Sequence, residues 1–186
     1  MPCPKSAYNS KNAAQHIVRP AASGPAHYPA ALGSVLVYVV ENDRISAVIT
    51  ELIVRKNLSG EVQCHANGQS AFDALAAAVH AGYQVPHFVL LDLDMPLMDG
   101  WEFLDALAGL VPAPPTAVLV LTSSIHPNDL VKAASYPQVK GFFTKPLDEA
   151  SVASMYELMQ AVGTMAHGAE PAPLTLNFAP DMALRA

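Results

Sequence analysis

The chain has 186 residues, about one to one and a half typical domains, and 52% of them are hydrophobic. Ten Lys and Arg residues against 16 Asp and Glu residues give a formal net charge of −6, whereas a nucleic-acid-binding surface needs basic residues to neutralise phosphates. The composition therefore predicts a compact acidic domain and argues against DNA or RNA as its partner.

Residues 1–33 are rich in Pro, Ala, Ser and Asn and show no sustained hydrophobic period. Such a segment buries too little apolar surface to offset the entropy of ordering, so we expect a disordered or flexible N-terminal arm. Residues 164–186 have a similar composition and are expected to form a C-terminal tail, although residues 174–178 alternate as in a short strand. The domain itself is predicted to span residues 34–163.

Between these segments, strand-like and helix-like patterns alternate. The apolar runs 35–40, 88–91 and 117–121 are typical of strands buried on both faces of a parallel sheet, and residues 61–66 and 139–143 are weaker strand candidates. Five β-α units in this order predict a doubly wound α/β fold. The helices are predicted from apolar residues at helical spacing: Ile45, Val48, Ile49, Leu52 and Ile53; Phe72, Leu75, Ala76 and Val79; Trp101, Leu104, Leu107, Ala108 and Val111; Leu130, Val131 and Ala134; Val152, Met155, Met159 and Val162.

The cysteine and hydropathy patterns indicate the cellular compartment of the protein. Cys3 and Cys64 lie far apart and form neither a zinc-binding nor a disulfide pattern, which fits a reducing cytoplasm. The longest apolar run, residues 35–40, is far too short to span a bilayer, and the N-terminus lacks the apolar region of a signal peptide. We therefore expect a cytoplasmic protein that does not insert into a membrane.

In doubly wound sheets, ligands bind outside the carboxyl ends of the strands, so the residues that follow each strand are the candidates for chemistry. Clustered carboxylates either raise a pKa or hold a cation, and oxygen ligands from short acidic loops suit Mg²⁺. A carboxylate beside Mg²⁺, an ammonium group and a hydroxyl could act as a nucleophile towards a phosphoryl group. The strand ends supply these groups: Glu41, Asn42 and Asp43 after the first strand, Asp92 and Asp94 after the third, Thr122, Ser123 and Ser124 after the fourth, and Lys145 after the fifth.

Three motifs resemble the receiver domain of bacterial two-component response regulators, and in particular the single-domain chemotaxis type. They are LLDLDMPLMDGWEFL at 90–104, VLTSS at 120–124 and FFTKPL at 142–147. The resemblance covers about residues 34–163. It implies a flavodoxin-like fold, with five helices around a five-stranded parallel sheet of order 2-1-3-4-5.

By this resemblance, Asp92 would accept a phosphoryl group from a histidine kinase or a histidine phosphotransfer protein. Glu41 and Asp92 would hold Mg²⁺ or Mn²⁺ together with the backbone carbonyl of Asp94. Thr122 would bind a phosphoryl oxygen, and Lys145 would pair with Asp92 and the phosphate. The peptide bond after Lys145 would be cis, as is usual in the family.

The implied function is that of a single-domain response regulator, a signalling phosphoacceptor rather than an enzyme. Phosphorylation would draw the Thr122 loop inward and change the affinity of the face formed by the fourth helix, fifth strand and fifth helix for a protein partner. Few residues follow position 163, so we expect output through protein contact or onward phosphotransfer rather than through an output domain.

Two positions depart from the family pattern. Asn42 stands where the family usually has a second acidic metal ligand, and because an amide carbonyl is a weaker ligand than a carboxylate, weaker Mg²⁺ binding is expected. Asp43, one residue later, is an alternative ligand. Phe142 stands at the aromatic switch position in place of Tyr, so its ring can move inward but offers no hydroxyl to a partner.

Two other functions are compatible with these residues. The first is a pseudo-receiver, a binding module that signals without phosphorylation, and Asn42 supports it. The second is a phosphohydrolase of the haloacid dehalogenase type, because the spacing of Asp92 and Asp94 resembles its nucleophile and acid pair. In that fold the pair normally follows the first strand, and Pro96 replaces the expected Thr or Val.

Three residues near the motifs are interpreted structurally rather than chemically. Asp99 followed by Gly100 indicates a turn and a helix N-cap. Trp101 is expected to pack against a neighbouring element, and His126 to belong to an ordinary loop.

Overall fold

The computed structural model describes residues 35–58, 60–123 and 126–165, and only the backbone of residues 162–165. The predicted N-terminal arm and the predicted tail beyond Met165 lie outside the described residues, as does Ser124. All five predicted strands are present in the described part of the chain. The elements in chain order are β1 (Val35–Val40), α1 (Arg44–Asn57), β2 (Gly60–His65), α2 (Gly68–Ala81), β3 (Phe88–Asp92), α3 (Gly100–Gly109), β4 (Ala117–Thr122), α4 (Pro127–Ala133), β5 (Val139–Thr144) and α5 (Glu149–Met165).

The strands form one parallel sheet in the order β2-β1-β3-β4-β5, which confirms the predicted fold class. Because side chains alternate between the two faces of a strand, β1 contributes to two apolar layers. Residues 36, 38 and 40 pack with α2, α3 and α4, whereas residues 35, 37 and 39 pack with α1 and α5. The continuous apolar runs in the sequence follow from this burial on both faces.

Helix α1 differs from the expectation for an amphipathic helix whose apolar stripe faces the core. Ile45, Val48, Ile49 and Leu52 are 71, 47, 51 and 62% exposed, respectively. The buried residues of α1 are Thr50 and Val54, with Ile53 partly buried against the α5 side of the core. The apolar stripe predicted the helix correctly. The face of α1 that packs against the sheet, with Thr50 and Val54, lies to one side of this stripe.

The start of α3 is fixed tightly against the end of β3. The side chain of Asp99 accepts a hydrogen bond from the backbone N–H of Glu102, whose carboxylate accepts one from the N–H of Asp99. This capping box confirms the N-cap interpretation. A Cβ atom at Gly100 would lie 2.5 Å from the carbonyl oxygen of Asp92, so only glycine allows α3 to begin this close to the strand.

Candidate functional site

The candidate site lies at the carboxyl edge of the sheet, where four of its strands end. Asp92 and Thr122 are the last residues of β3 and β4, Glu41 follows β1, and Lys145 follows β5. All three polar side chains at 41, 92 and 122 are buried. The shared direction of parallel strands therefore brings residues more than 100 positions apart to one place.

The ammonium group of Lys145 lies between two carboxylates. Its Nζ is 2.9 Å from Oδ2 of Asp92 and also donates a hydrogen bond to Oε2 of Glu41. The side chains of Lys145, Glu41 and Asp92 are only 17, 4 and 7% exposed. Because water screens this cluster poorly, its charges interact far more strongly than charges on the open surface.

Burial and charge have opposite effects on the titration of this cluster. Burial raises the pKa of Glu41 above its ordinary value, although the hydrogen bonds from Lys145 and from the backbone of Asp43 act in the other direction. For Lys145, burial alone would lower the pKa, but the hydrogen bonds to Asp92 and Glu41 outweigh it and leave the pKa raised. Lys145 is therefore held as a fixed positive charge next to the oxygen of Asp92.

The two residues after Glu41 have different surroundings. Oδ1 of Asp43 accepts a hydrogen bond from the backbone N–H of Ser46 at 2.8 Å and caps α1, which lowers the pKa of this carboxyl. One oxygen of Asp43 is thus engaged at the helix start, and both Asn42 and Asp43 are exposed and line the cavity described below. Both residues therefore stay candidates for the additional cation ligand that the sequence left open.

The loop after β3 turns sharply and keeps close to Asp92. The backbone N–H of Asp94 lies 3.4 Å from Oδ1 of Asp92, and the side chain of Asp94 is exposed. Leu97 has a φ of 72°, in the left-handed region, and the N–H of Gly100 donates to the carbonyl of Leu93 at 3.0 Å. The loop returns the chain directly to α3.

Thr122 and Phe142 lie on neighbouring strands. The carbonyl of Thr122 accepts a hydrogen bond from the backbone N–H of Lys145 at 2.8 Å, which ties the end of β4 to the start of the following turn. Phe142 is buried in the core layer with α2, α3 and α4, so its ring points inward. The Lys145–Pro146 peptide bond is cis, as the family resemblance implies.

The buried cluster opens into a cavity of about 510 Å³, within the size range of small-ligand sites. Its polar side is lined by Glu41, Asn42, Asp92, Lys145 and neighbouring groups, including Ser123. Its other side is apolar and comes from α1 and the β5–α5 turn. Sequence reasoning missed this apolar side, although the unusually large number of apolar residues on α1 was a signal that not all of them serve the core.

The donor set for a divalent cation is small. Among the described residues, no group of three or more His, Cys, Asp or Glu side chains is spaced to hold a metal ion. Mg²⁺, however, is usually bound by one or two carboxylates together with waters and phosphate oxygens. Glu41, Asp92, the amide of Asn42 and the carbonyl of Asp94 fit that limited requirement.

Other residues singled out from the sequence have structural roles. Trp101 packs against Tyr136 and Lys132, as predicted for a packing residue. His126 precedes α4, and its Nδ1 accepts a hydrogen bond from the backbone N–H of Asn128 at 3.2 Å. Of the helices described, none combines the length and the apolar character needed to cross a membrane.

A parallel sheet of this order, with a carboxylate–lysine cluster at its carboxyl edge, defines the class of flavodoxin-like receiver folds. Residues 37–157 match the family model of the response regulator receiver domain. The chain belongs to that family, whose members are signalling phosphoacceptors of two-component systems.

Individual relatives agree with this assignment. The chain is 30% identical over 113 residues to the probable methanogenesis regulatory protein FilR2 of Methanothrix harundinacea, covering 61% of this chain and 72% of that protein. A two-component response regulator from Cytophaga hutchinsonii is 25% identical, with a TM-score of 0.61 and coverage of 69% of this chain and 98% of that one. The Mn²⁺-bound form of response regulator Rcp1 shares the fold at 20% identity and a TM-score of 0.54, covering 74% and 98% of the two chains.

Proposed function

We propose that Asp92 is the phosphoacceptor of a single-domain response regulator and receives its phosphoryl group from a phosphohistidine. The observation that carries the proposal is the ammonium group of Lys145, which lies 2.9 Å from Asp92 and also binds Glu41 in a buried cluster. A nucleophilic carboxylate needs nearby positive charge to offset the negative charge of the phosphoryl oxygens during transfer. Lys145 is placed to supply that charge.

The step itself requires no proton transfer to the nucleophile. A carboxylate oxygen of Asp92 attacks phosphorus, the bond from phosphorus to the imidazole nitrogen breaks, and the electron pair leaves with the imidazole. Thr122, buried at the end of β4, would bind one phosphoryl oxygen through its hydroxyl. Lys145 would move from Glu41 towards the new phosphate.

A divalent cation, Mg²⁺ or Mn²⁺, would be held by Glu41, Asp92, the backbone carbonyl of Asp94 and the amide oxygen of Asn42. When bound, it would neutralise phosphoryl oxygens at the acceptor. The exposed amide of Asn42 contributes no charge, so the charged groups among these side-chain ligands are the carboxylates of Glu41 and Asp92, both paired with Lys145. Support for a cation comes from this oxygen-rich donor set, and the related protein Rcp1 is known in a Mn²⁺-bound form.

Signal output would follow from a change in the segment between Thr122 and Phe142, which contains α4. Movement of Thr122 towards a phosphoryl group would change the packing of α4 and β5, and with it the affinity of the α4–β5–α5 face for a protein partner. The cognate kinase or phosphotransfer protein, the downstream partner and the cytoplasmic location stay predictions.

A second candidate function is a phosphorylation-independent pseudo-receiver, favoured by the neutral Asn42 at the metal-binding edge. A phosphohydrolase of the haloacid dehalogenase type gains no support from the fold, because Asp92 ends the third strand of the chain rather than the first.

Intact-mass measurement after incubation with acetyl phosphate tests the proposal. We expect one phosphoryl adduct that depends on Mg²⁺ and is abolished in Asp92→Asn, because an amide is not a nucleophile for phosphorus. Asp73→Asn on α2 is the matched control. The same change is made there at an exposed aspartate outside the cavity lining, so this variant should still form the adduct.

The outcomes separate the candidate functions. An adduct that persists in Asp92→Asn would overturn the assignment of the acceptor. No adduct with or without Mg²⁺, in protein shown by circular dichroism to be folded, would favour the pseudo-receiver.

A further inference from the structure

The cavity beside Asp92 is larger than a phosphoryl group requires and has an apolar wall. Ile49 and Ile53 on α1 form one part of this wall, and Pro146 and Leu147 on the β5–α5 turn form the other. We call these four residues the α1–α5 wall. A polar cluster on one side and the α1–α5 wall on the other make the cavity suited to a ligand that is anionic at one end and apolar at the other.

The wall is held in place by contacts with the second core layer. Ile53 and Leu147 are partly buried against that layer. The hydroxyl of Tyr156 on α5 donates a hydrogen bond to the carbonyl of Ile53 at 2.7 Å, which joins the two helices behind the wall. Ile49, by contrast, is about half exposed and is not part of either core layer. Its apolar surface is therefore available to a molecule in the cavity.

We propose that the α1–α5 wall binds the leaving group of the phosphodonor, so that among small acyl phosphates the site favours those with an aromatic acyl group. This inference rests on the proposed role of Asp92. Attack on phosphorus is in line, with the leaving oxygen on the side opposite the attacking carboxylate. A leaving group in the cavity therefore lies on the side of phosphorus away from Asp92, where apolar residues of the cavity lining can contact it.

The reaction with such a donor balances without a further reactant. A carboxylate oxygen of Asp92 forms a bond to phosphorus, the bond between phosphorus and the acyl oxygen breaks, and the electron pair leaves on a free carboxylate. One acyl phosphate and one carboxylate are consumed and one of each is formed, so charge is conserved. Benzoate would be the product released from benzoyl phosphate.

The experiment compares benzoyl phosphate with acetyl phosphate at equal, subsaturating concentrations in Mg²⁺ buffer, following the adduct by intact mass. We expect benzoyl phosphate to react roughly tenfold faster, the discrimination that a hydrophobic pocket gives for a modest increase in apolar size. Ile49→Ser should reduce this preference several-fold, because it removes apolar surface from the α1–α5 wall. Leu52→Ser is the matched control, because Leu52 is an exposed apolar residue of the same helix that does not line the cavity.

Each outcome has a distinct meaning. Equal rates with the two donors in the wild type would overturn the inference and leave the role of Asp92 intact. A preference that is unchanged in Ile49→Ser, or is lost equally in Leu52→Ser, would show that the α1–α5 wall does not select the donor. No adduct with either donor in folded protein would contradict the proposed function itself, and the inference with it.

Discussion

Asn42 and Asp43 are neighbours in the sequence, but their side chains make different contacts. Asp43 caps α1 through the N–H of Ser46, and its own N–H donates to Oε1 of Glu41 at 3.0 Å. Both side chains are exposed and line the cavity, and Asn42 is the neutral one of the two.

We predict that Asn42→Asp increases the affinity for Mg²⁺ roughly tenfold, because the charge of the ligand set tunes the affinity for a hard cation. Isothermal titration calorimetry with MgCl₂ measures the change directly, without any phosphodonor. Asn128→Asp at the exposed start of α4 is the control, since it adds the same charge outside the cavity lining. Equal affinities for Asn42→Asp and wild type would remove Asn42 from the proposed cation site.

At the level of the elements, α3 and α4 are joined by a surface cluster that the sequence did not reveal. The ring of Trp101 on α3 stacks near Tyr136, with centroids 6.2 Å apart, and Nζ of Lys132 lies 4.2 Å from the centroid of the Trp101 ring. The hydroxyl of Tyr136 donates to Oδ1 of Asp105 at 2.7 Å. We call these four residues the α3–α4 clamp, which ties the turn after the short helix α4 to α3.

The clamp also affects the titration of Tyr136. Burial, together with the hydrogen bond to Asp105 and its charge, raises the pKa of Tyr136 to about 12. The phenol therefore keeps its proton, and its hydrogen bond, throughout the neutral range. The clamp should hold α4 in place independently of pH near neutrality.

Removing the hydroxyl in Tyr136→Phe is predicted to lower the free energy of unfolding by about 1 kcal/mol, the usual net contribution of one hydrogen bond. Hydrogen exchange of the α4 amides should accelerate, because local opening is governed by such contacts. In a double-mutant cycle, adding Asp105→Asn to Tyr136→Phe should lower the free energy of unfolding little further, because the hydrogen bond between the two side chains is already absent. Tyr83→Phe changes a highly exposed tyrosine and should have neither effect; equal behaviour of the two Phe variants would argue against the clamp.

For the molecule as a whole, the two apolar layers share four strands, β1, β3, β4 and β5. Leu104 lies in the layer with α2, α3 and α4, and Met155 lies in the layer with α1 and α5; both are fully buried. Because disruption of these strands would expose both layers at once, the described domain should unfold as one cooperative unit.

Leu104→Ala and Met155→Ala are each predicted to lower the free energy of unfolding by about 2–5 kcal/mol, from lost burial and the cavity that remains. Urea unfolding followed by circular dichroism should show a single transition with an unchanged m-value for both variants. Val131→Ala, at an exposed position of α4, should change stability by less than about 0.5 kcal/mol. Two separate transitions in either core variant would show that the layers unfold independently.

Much of the fold and of the site could be predicted from the sequence. As neighbouring strands of a parallel sheet, the continuous apolar runs pair their backbone N–H and C=O groups and bury both faces. The carboxyl ends of such strands meet at one edge of the sheet. Glu41, Asp92, Thr122 and Lys145 could therefore be placed together before any coordinates were known. Asp99 and Gly100 likewise indicated the start of α3, because capping depends on residues that are adjacent in the chain.

Only the tertiary structure shows which elements the predicted helices and side chains contact. Helical spacing shows which residues of α1 share a face, but not whether that face meets the sheet, and Ile49 is accordingly exposed beside the cavity. The contact of Trp101 with Tyr136 depends on three-dimensional positions that local patterns do not encode. Periodicity and capping are properties of short segments, whereas the lining of the cavity and the placement of α4 depend on contacts between segments distant in the chain.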